Sequence, residues 1–278
     1  MLNIIDEISK DSLKSYLMEC AKHADIDIDL AFNTTVNFSK RHDGKPIKDS
    51  DIEKMLFLEE KWYASLEKNE PDYSVYSDPY YFCEVWLCWS KYSRRYLKDI
   101  TSPKSLFGKS IVSDMRNVNT VLDLGCGFGY TTAALKQIFP TSAVYGTNLE
   151  ESSQYLMAKN LSSTYDFSVI STHKNTKADL IFASEYFEHF DRPIEHLIDV
   201  LDNSKPKYML IANTFNGKAI GHFNQYYHLG ETYSGKEISK KFNNTLRDYG
   251  YEKVKTKCWN SRPAYWKLNE SNLSQLGV

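Results

Sequence analysis

The sequence predicts an α/β fold, a doubly wound and mostly parallel sheet with helices on both faces and a helical cap at its N-terminal end. From Asn119 onward, short apolar runs alternate with amphipathic stretches, a pattern typical of strands that alternate with helices. The first of these runs passes directly into a glycine-rich turn at residues 125–129. The first hundred residues, by contrast, show helical periodicity without strand alternation.

The predicted cap covers residues 1–105, and the predicted sheet domain covers residues 106–278. Within the cap, apolar side chains recur at helical spacing in three stretches. These are Leu13, Tyr16, Leu17 and Cys20, then Met55, Leu58, Trp62 and Leu66, and finally Phe82, Val85, Trp86 and Trp89. Basic residues gather towards the end of the third stretch, which is the favourable end of a helix for positive charge.

Five apolar runs in the second part are predicted strands, at residues 119–124, 143–148, 166–171, 179–184 and 207–213. Amphipathic stretches at 129–139, 152–161 and 193–202 are the predicted helices between them. Two further strand-like runs follow near the end of the chain, at residues 251–258 and 264–268.

Bulk composition excludes several classes of protein. The 278 residues are 42% hydrophobic, which is enough for a sizeable core, and the formal net charge of -2 lacks the basic excess of a protein that coats nucleic acid. Five scattered cysteines show neither a CxxC pair nor a Cys/His ligand spacing, so we expect reduced thiols and no metal. Without a signal-like or long apolar segment, we expect a cytoplasmic protein with no membrane partner. No oligomeric state is predicted.

The segment VLDLGCGFGY at residues 121–130 has the features of a ligand site. Gly125, Gly127 and Gly129 follow an apolar strand, and glycine allows both a tight turn and the close approach of a ligand. Asp123 precedes them at the end of the strand, which suits a cofactor with an ammonium group better than a pyrophosphate. A dinucleotide site would have a third glycine where Tyr130 stands.

Polar residues also follow the second and fourth predicted strands. Asn148 lies about 20 residues beyond the glycines, where a ribose-binding carboxylate is expected. The fourth strand ends in the residues SEYFEH at positions 184–189. Because ligands of open α/β sheets bind at the carboxyl ends of the strands, we expect these residues to face one crevice.

VLDLGCGFG, together with ASEYFEHFDRP some 60 residues later, resembles the class I S-adenosylmethionine-dependent methyltransferases. The resemblance is strongest to the branch whose fourth strand ends in E-x-x-E-H, and it covers about residues 100–268. It implies a Rossmann-like sheet of seven strands, in which the last two apolar runs form a closing antiparallel hairpin. It also implies that S-adenosylmethionine is the cofactor and that methyl transfer is the reaction.

The resemblance further implies which residues bind the cofactor. The glycine loop would lie along the methionine moiety, the residues after the second strand would contact ribose and adenine, and the end of the fourth strand would lie near the sulfonium. The predicted cofactor-binding residues are Asp123, Gly125, Cys126, Gly127, Gly129, Tyr130, Asn148, Leu149, Ser171, Ser184 and Glu185. Two of them depart from the family pattern, since Asn148 replaces an acidic residue and Ser171 stands where an aspartate is common.

Candidate catalytic residues are His189, Glu185 and His222. His189 is the first candidate base because its usual pKa lies near neutral pH and it follows a crevice strand. Glu185 could orient an acceptor, although a carboxylate there could equally cap a helix. His222 lies in a long connection after the fifth strand, and long connections without structure of their own tend to be functional. We expect that connection to bind the acceptor through Asn213, Thr214, His222, Phe223 and Tyr226.

Three hypotheses about the acceptor remain open. The first is a small molecule, bound under cap helices with Trp86, Trp89, Tyr92 and Tyr96 near the mouth of the pocket. The second is nucleic acid or a nucleotide, because aromatic and basic residues interleave in WLCWSKYSRRYLK and KTKCWNSRPAYWK. The third is a protein or subunit that binds the cofactor without catalysis. An enclosed aromatic pocket would favour the first hypothesis, and a basic groove the second.

Overall fold

The computed structural model describes residues 4–6, 10–150 and 152–269, so residues 1–3, 7–9, 151 and 270–278 of the two predicted domains lie outside it. The N-terminal part is helical, as predicted. Its helices are α1 (Lys10–Cys20), α2 (Ile28–His42), α3 (Glu53–Glu67), α4 (Tyr81–Leu87), α5 (Arg94–Thr101) and the short α6 (Ile111–Asp114). A π-helical segment, Cys88–Ser93, joins α4 to α5 without a break in the helical path. Single 3-10 turns lie at Asp49–Ile52 and Tyr73–Ser77.

Strands and helices alternate in the second part of the chain. The strands are β1 (Thr120–Leu124), β2 (Ala143–Thr147), β3 (Ser168–Ile170), β4 (Leu180–Ser184), β5 (Tyr208–Ala212), β6 (Tyr226–His228), β7 (Glu231–Tyr233), β8 (Tyr251–Val254) and β9 (Ala264–Leu268). The helices are α7 (Tyr130–Ile138), α8 (Ser153–Tyr165), α9 (Pro193–Ser204) and α10 (Gly235–Asp248). Each predicted strand and helix of the sheet domain is present, most of them shorter than the apolar run that predicted them.

Seven strands form one sheet in the order β3-β2-β1-β4-β5-β9-β8, which confirms the predicted fold class. The first five strands are parallel, and β9 is antiparallel to both β5 and β8. The strand order reverses between β1 and β4, at the point where open α/β sheets form their ligand crevice. Asp123 of β1 lies in register with Gly146 of β2 and Phe182 of β4, so these three strands end at one edge.

Two hydrophobic clusters lie on opposite faces of the sheet. Alternation along β4 directs Leu180 and Phe182 into one cluster and Ile181 and Ala183 into the other. Helices of the N-terminal part contribute to both clusters, for example through Tyr16 in the first and Trp62 in the second. The boundary at residue 105 stays a prediction. None of the described helices is long and apolar enough to cross a membrane.

The connection after β5 contains a two-stranded hairpin, β6–β7, whereas the sequence predicted a connection without secondary structure. Tyr226 pairs with Tyr233, and the two-residue turn consists of Leu229 and Gly230, both with positive φ. Such turns usually carry Asn-Gly or Asp-Gly, and a leucine in this position gives no such signal. The hairpin therefore escaped prediction for want of the usual turn residues.

Candidate active site

A cavity of about 1090 Å³ lies between the N-terminal helices and the carboxyl ends of the parallel strands. It is lined by all but one of the predicted cofactor-binding residues and by all three candidate catalytic residues. The exception is Gly129, which caps α7 with φ of 87° and packs against Ala158 and Phe167 instead. The structure thus assembles the predicted site in one place and gives Gly129 a packing role.

The glycine loop is held against the end of β2 by backbone hydrogen bonds. The amide of Gly125 donates to Thr147 Oγ1 at 3.0 Å, and the amide of Cys126 donates to the Thr147 carbonyl at 2.9 Å. Gly125 has a φ of 69°, and a Cβ at this position would overlap the ring of Tyr186. Glycine is therefore required at residue 125 both for the turn and for the packing of Tyr186.

Asp123 is a buried carboxyl at the carboxyl end of β1. It is 1% exposed, lines the cavity and accepts a hydrogen bond from Thr132 Oγ1 at 2.7 Å. Burial raises its pKa to about 7, because desolvation disfavours the charged form. An ammonium group beside it would restore the negative charge, whereas a phosphate would be repelled. The Asp123 carboxyl therefore fits the amino-acid end of S-adenosylmethionine, which carries an ammonium group.

Asn148 has both polar atoms of its side chain engaged by the backbone. Its Nδ2 donates to the Gly127 carbonyl at 2.6 Å, and its Oδ1 accepts from the amide of Leu149 at 2.9 Å. A carboxylate in this position could accept from Leu149 but could not donate to Gly127. The amide thus ties the end of β2 to the glycine loop, a structural reason for this departure from the family pattern.

Glu185 follows β4 in the left-handed backbone conformation, with φ of 50°. Tyr96 donates to its Oε1 at 3.2 Å, and Thr214 Oγ1 donates to its Oε2 at 2.7 Å. Arg262 completes the group, since Nη1 donates to Thr214 Oγ1 at 2.6 Å and lies 3.9 Å from Glu185 Oε1. A non-glycine residue with positive φ is held there by its surroundings, and such residues cluster at functional sites.

Glu188 lies behind Glu185 and is fully buried. Its Oε1 accepts a hydrogen bond from the amide of Thr214 at 2.6 Å. Burial and the neighbouring charge of Glu185 hold the pKa of this carboxyl well above its usual range, which favours its protonated form. Glu188 therefore joins the end of β4 to the end of β5 and positions Thr214 against Glu185.

The two candidate histidines contact each other, with ring centroids 4.9 Å apart in an edge-to-face arrangement. Burial lowers the pKa of His189 to about 3, and its Nδ1 lies 3.0 Å from the hydroxyl of Tyr76. His222 Nδ1 lies 2.9 Å from the Gly217 carbonyl, which can only accept, so this nitrogen carries the proton. Burial also lowers the pKa of His222. In the neutral form of His222, which burial favours, Nε2 is therefore the acceptor nitrogen.

One face of the helix that runs from α4 to α5 covers the cavity. Trp86, Trp89, Tyr92 and Tyr96 all line it, as the sequence predicted. Ser93 Oγ lies 2.9 Å from Ser184 Oγ, which joins the helix directly to the end of β4. The π-helical segment Cys88–Ser93 lies at this contact, and π-helical turns within α-helices are frequent at functional sites.

The sequence analysis missed Glu84, a lining residue that is only 7% exposed. Burial and the charges of Glu59 and Glu185 raise its pKa to about 8. Its signal in the sequence is a single carboxylate inside the apolar run YFCEVWLCW.

A pair of hydrogen bonds on the opposite side of the cavity was missed as well. His173 Nε2 lies 2.9 Å from Asp199 Oδ2, and His196 Nε2 lies 2.9 Å from the hydroxyl of Tyr186. His196 and Asp199 are three residues apart on α9, a spacing that places two side chains on one helix face.

Three of the five residues of the long connection that we expected to bind the acceptor, Asn213, Phe223 and Tyr226, do not line the cavity. Phe223 and Tyr226 are buried in the second hydrophobic cluster, and neither lines the cavity. The hydroxyl of Tyr226 donates to the backbone carbonyls of Glu188 and Phe215, each at 3.4 Å. Of the expected acceptor residues in this connection, Thr214 and His222 line the cavity.

Comparison with known proteins places the chain in a family. The model of the methyltransferase-domain family matches residues 90–256, which is more than half of the chain. No curated protein sequence matches. The family match spans the glycine loop, the end of β4 and the connection after β5, where the site residues lie.

Several solved structures are similar to parts of the chain. One is the plantazolicin methyltransferase BpumL, solved with a pentazolic desmethylPZN analogue and S-adenosylhomocysteine, at 20% identity over 59% of this chain and 62% of that protein, with a TM-score of 0.39. Another is an O-methyltransferase family protein from Burkholderia thailandensis, at 14% identity over 56% of this chain and 53% of that one, with a TM-score of 0.41. A third is an S-adenosylmethionine-dependent methyltransferase from Aquifex aeolicus, at 17% identity over 61% of this chain and 92% of that one, with a TM-score of 0.39.

The chain spans about three fifths of the plantazolicin enzyme and about half of the Burkholderia protein. The family assignment rests on the family match, together with the seven-stranded sheet. On this basis, the chain belongs to the methyltransferase-domain family, and its seven-stranded sheet has the Rossmann-like arrangement.

Proposed function

We propose that this protein transfers a methyl group from S-adenosylmethionine to a small-molecule acceptor bound beneath the N-terminal helices. The observation that carries the proposal is that one cavity joins the glycine loop to Glu185 and to the aromatic face of the α4–α5 helix. Its volume of about 1090 Å³ exceeds that of a typical single-ligand pocket, which leaves room for a cofactor and a small acceptor together.

When bound, S-adenosylmethionine would supply an electrophilic methyl group to a lone pair of the acceptor. The electron pair of the broken carbon–sulfur bond would stay on sulfur, which leaves S-adenosylhomocysteine. The chain has to align the acceptor and take up any proton that it releases. We assign proton uptake to Nε2 of His222 and orientation of the acceptor to Glu185. His189 supports the ring of His222 from the side.

The basic side chains near the end of the α4–α5 helix are engaged within the protein, which favours a small-molecule acceptor over nucleic acid. Three of the four basic side chains of this segment pair with acids, among them Arg95 with Asp99 at 3.3 Å and Lys98 with Asp6 at 2.8 Å, and Arg94 donates to the Ile5 carbonyl at 3.5 Å. Lys91 pairs with Asp43 and also donates to the Ser39 carbonyl at 3.0 Å. Phosphate binding would have to displace these acids. We therefore place nucleic acid second, and we propose the cytoplasm as the location.

Two measurements test the proposed function. The first is calorimetric titration with S-adenosylmethionine, with NAD as the control ligand, in which micromolar binding of S-adenosylmethionine alone is expected. The second is incubation with methyl-labelled S-adenosylmethionine and two separated cell fractions, small metabolites and total nucleic acid. We expect label in the metabolite fraction. Label in nucleic acid would select the second hypothesis, and cofactor binding without transfer to either fraction would select a non-catalytic binding protein.

A further inference from the structure

We propose that the acceptor carries a positively charged nitrogen and that Glu84 binds it inside the cavity. The inference rests on the proposed function, because it names the chemical class of the small molecule that shares the cavity with the cofactor. Glu84 lies before the residues that the family match covers.

Glu84 is buried without a partner. It lies on α4, is 7% exposed and lines the cavity, yet its carboxylate takes part in no hydrogen bond or ion pair with the residues that the structure describes. Burying a carboxylate without compensation costs several kcal/mol, so buried acids in proteins are normally paired. The other buried acids of the site follow that rule, since Asp123 is bonded to Thr132 and Glu188 to Thr214.

The cations of the site are not available to Glu84. Arg262 is engaged by Thr214 and Glu185, and Lys91 is engaged by Asp43. Lys174 and Lys218 also line the cavity, but both side chains are exposed. The charged groups that act on Glu84 are the acids Glu59 and Glu185. The electrostatic potential at the Glu84 carboxyl group is therefore negative, and a cationic ligand would be stabilised there.

The surfaces around Glu84 suit an organic cation. Cys88 and Tyr92 follow it along the same helix and also line the cavity, so one helix face presents a carboxylate beside an aromatic ring. Tyr92 stacks on Trp259 with ring centroids 6.4 Å apart, and Tyr76 packs edge to face on Tyr81 at 5.1 Å. Aromatic faces attract ammonium groups and bind their apolar substituents. An amine with an apolar body matches both features.

The test uses protein saturated with S-adenosylhomocysteine, so that only the acceptor part of the cavity is free. The probes are 2-phenylethylamine and tryptamine, each compared by calorimetry with its neutral alcohol, 2-phenylethanol and tryptophol. We expect at least one ammonium probe to bind about tenfold or more tightly than its alcohol, which corresponds to one charge-assisted contact. Glu84→Gln should abolish this preference. Glu60→Gln, which neutralises an exposed acid on α3, should retain it.

The possible results separate the inference from the proposed function. If neither amine binds while S-adenosylhomocysteine does, or if the alcohols bind as tightly, the inference is wrong and the proposed function stands. If Glu84→Gln weakens S-adenosylmethionine more than S-adenosylhomocysteine and leaves amine binding unchanged, Glu84 serves the sulfonium and the inference is also wrong. If the wild-type protein binds neither cofactor form, the proposed function itself fails.

Discussion

The two sides of the cavity differ in where their residues lie in the chain and in whether their polar groups have partners. On the cofactor side, Asp123, the glycine loop and Asn148 come from two adjacent strands, and short-range hydrogen bonds satisfy their polar groups. On the acceptor side, Glu84, Glu185 and Arg262 come from distant parts of the chain, and the carboxyl group of Glu84 has no hydrogen bond or ion pair with the part of the chain that the structure describes. The cofactor side is complete without a ligand, whereas the acceptor side holds a buried carboxyl group that lacks a hydrogen-bond partner among the described residues. This difference predicts that substitutions on the two sides act on different ligands.

The largest expected effect is loss of cofactor binding in Asp123→Asn. A neutral amide cannot neutralise the ammonium of S-adenosylmethionine, and we expect the affinity to fall by about a hundredfold or more. Calorimetry with S-adenosylhomocysteine measures this change. Asp166→Asn, which alters a side chain that is 89% exposed, is the control and should leave the affinity unchanged. Equal binding by Asp123→Asn and the wild type would remove Asp123 from the cofactor site.

The acceptor side should instead show a gain in relative stability with rising pH when its unpaired carboxyl is removed. The pKa of Glu84 is raised from 4.5 to about 8 by burial and nearby acids. Between these values the unfolded chain loses this proton while the folded chain keeps it, so the free energy of unfolding falls as pH rises. Glutamine does not titrate. We therefore expect the stability of Glu84→Gln relative to the wild type to rise by about 2 kcal/mol between pH 5 and pH 6.5, and to rise further by pH 8.

Urea denaturation at pH 5, 6.5 and 8 measures this difference. Glu60→Gln on the exposed surface of α3 should give the same stability as the wild type at each pH. A difference between Glu84→Gln and the wild type that does not rise with pH would show that the carboxylate has a stabilising partner. In that case the contrast between the two sides of the cavity would disappear.

The same contrast explains how much of each side of the cavity could be predicted from the sequence. Asp123 and the glycines belong to one strand–turn–helix unit, whose local chemistry is legible in the sequence. Glu84 lies in a helix whose apolar pattern predicted only packing, and its proximity to Glu185 exists only after the chain has folded. The role of Asn148 was also out of reach, because its bond to Gly127 depends on how β2 meets the glycine loop. The sequence revealed which residues were unusual, and the fold supplied their partners.

A third prediction concerns Glu188, which links the two sides through Thr214. Glu188→Leu leaves the amide of Thr214 without an acceptor, whereas Glu188→Gln retains a carbonyl oxygen for it. Because the raised pKa of Glu188 favours its neutral form, a neutral glutamine is a close mimic of this side chain. We expect the leucine variant to be less stable than the glutamine variant by about 1.5 kcal/mol in urea denaturation. Equal stability of the two variants would mean that the bond to Thr214 contributes nothing.

The smallest expected effect distinguishes two roles for Asn148 on the cofactor side. The family resemblance implies that an acidic residue here binds the ribose, so Asn148→Asp would strengthen cofactor binding. The structure shows Nδ2 of Asn148 donating to the Gly127 carbonyl at 2.6 Å, and an aspartate would place two acceptors against each other. We expect Asn148→Asp to bind S-adenosylhomocysteine about fivefold more weakly in calorimetry and to melt at a lower temperature, since one hydrogen bond is worth about 1 kcal/mol. Tighter binding would show that the carboxylate reaches the ribose and that the glycine loop keeps its conformation without the amide. In this variant the carboxylate at residue 148 would suit the cofactor better than it suits the free protein. The cofactor side would then resemble the acceptor side, where we propose the same of Glu84.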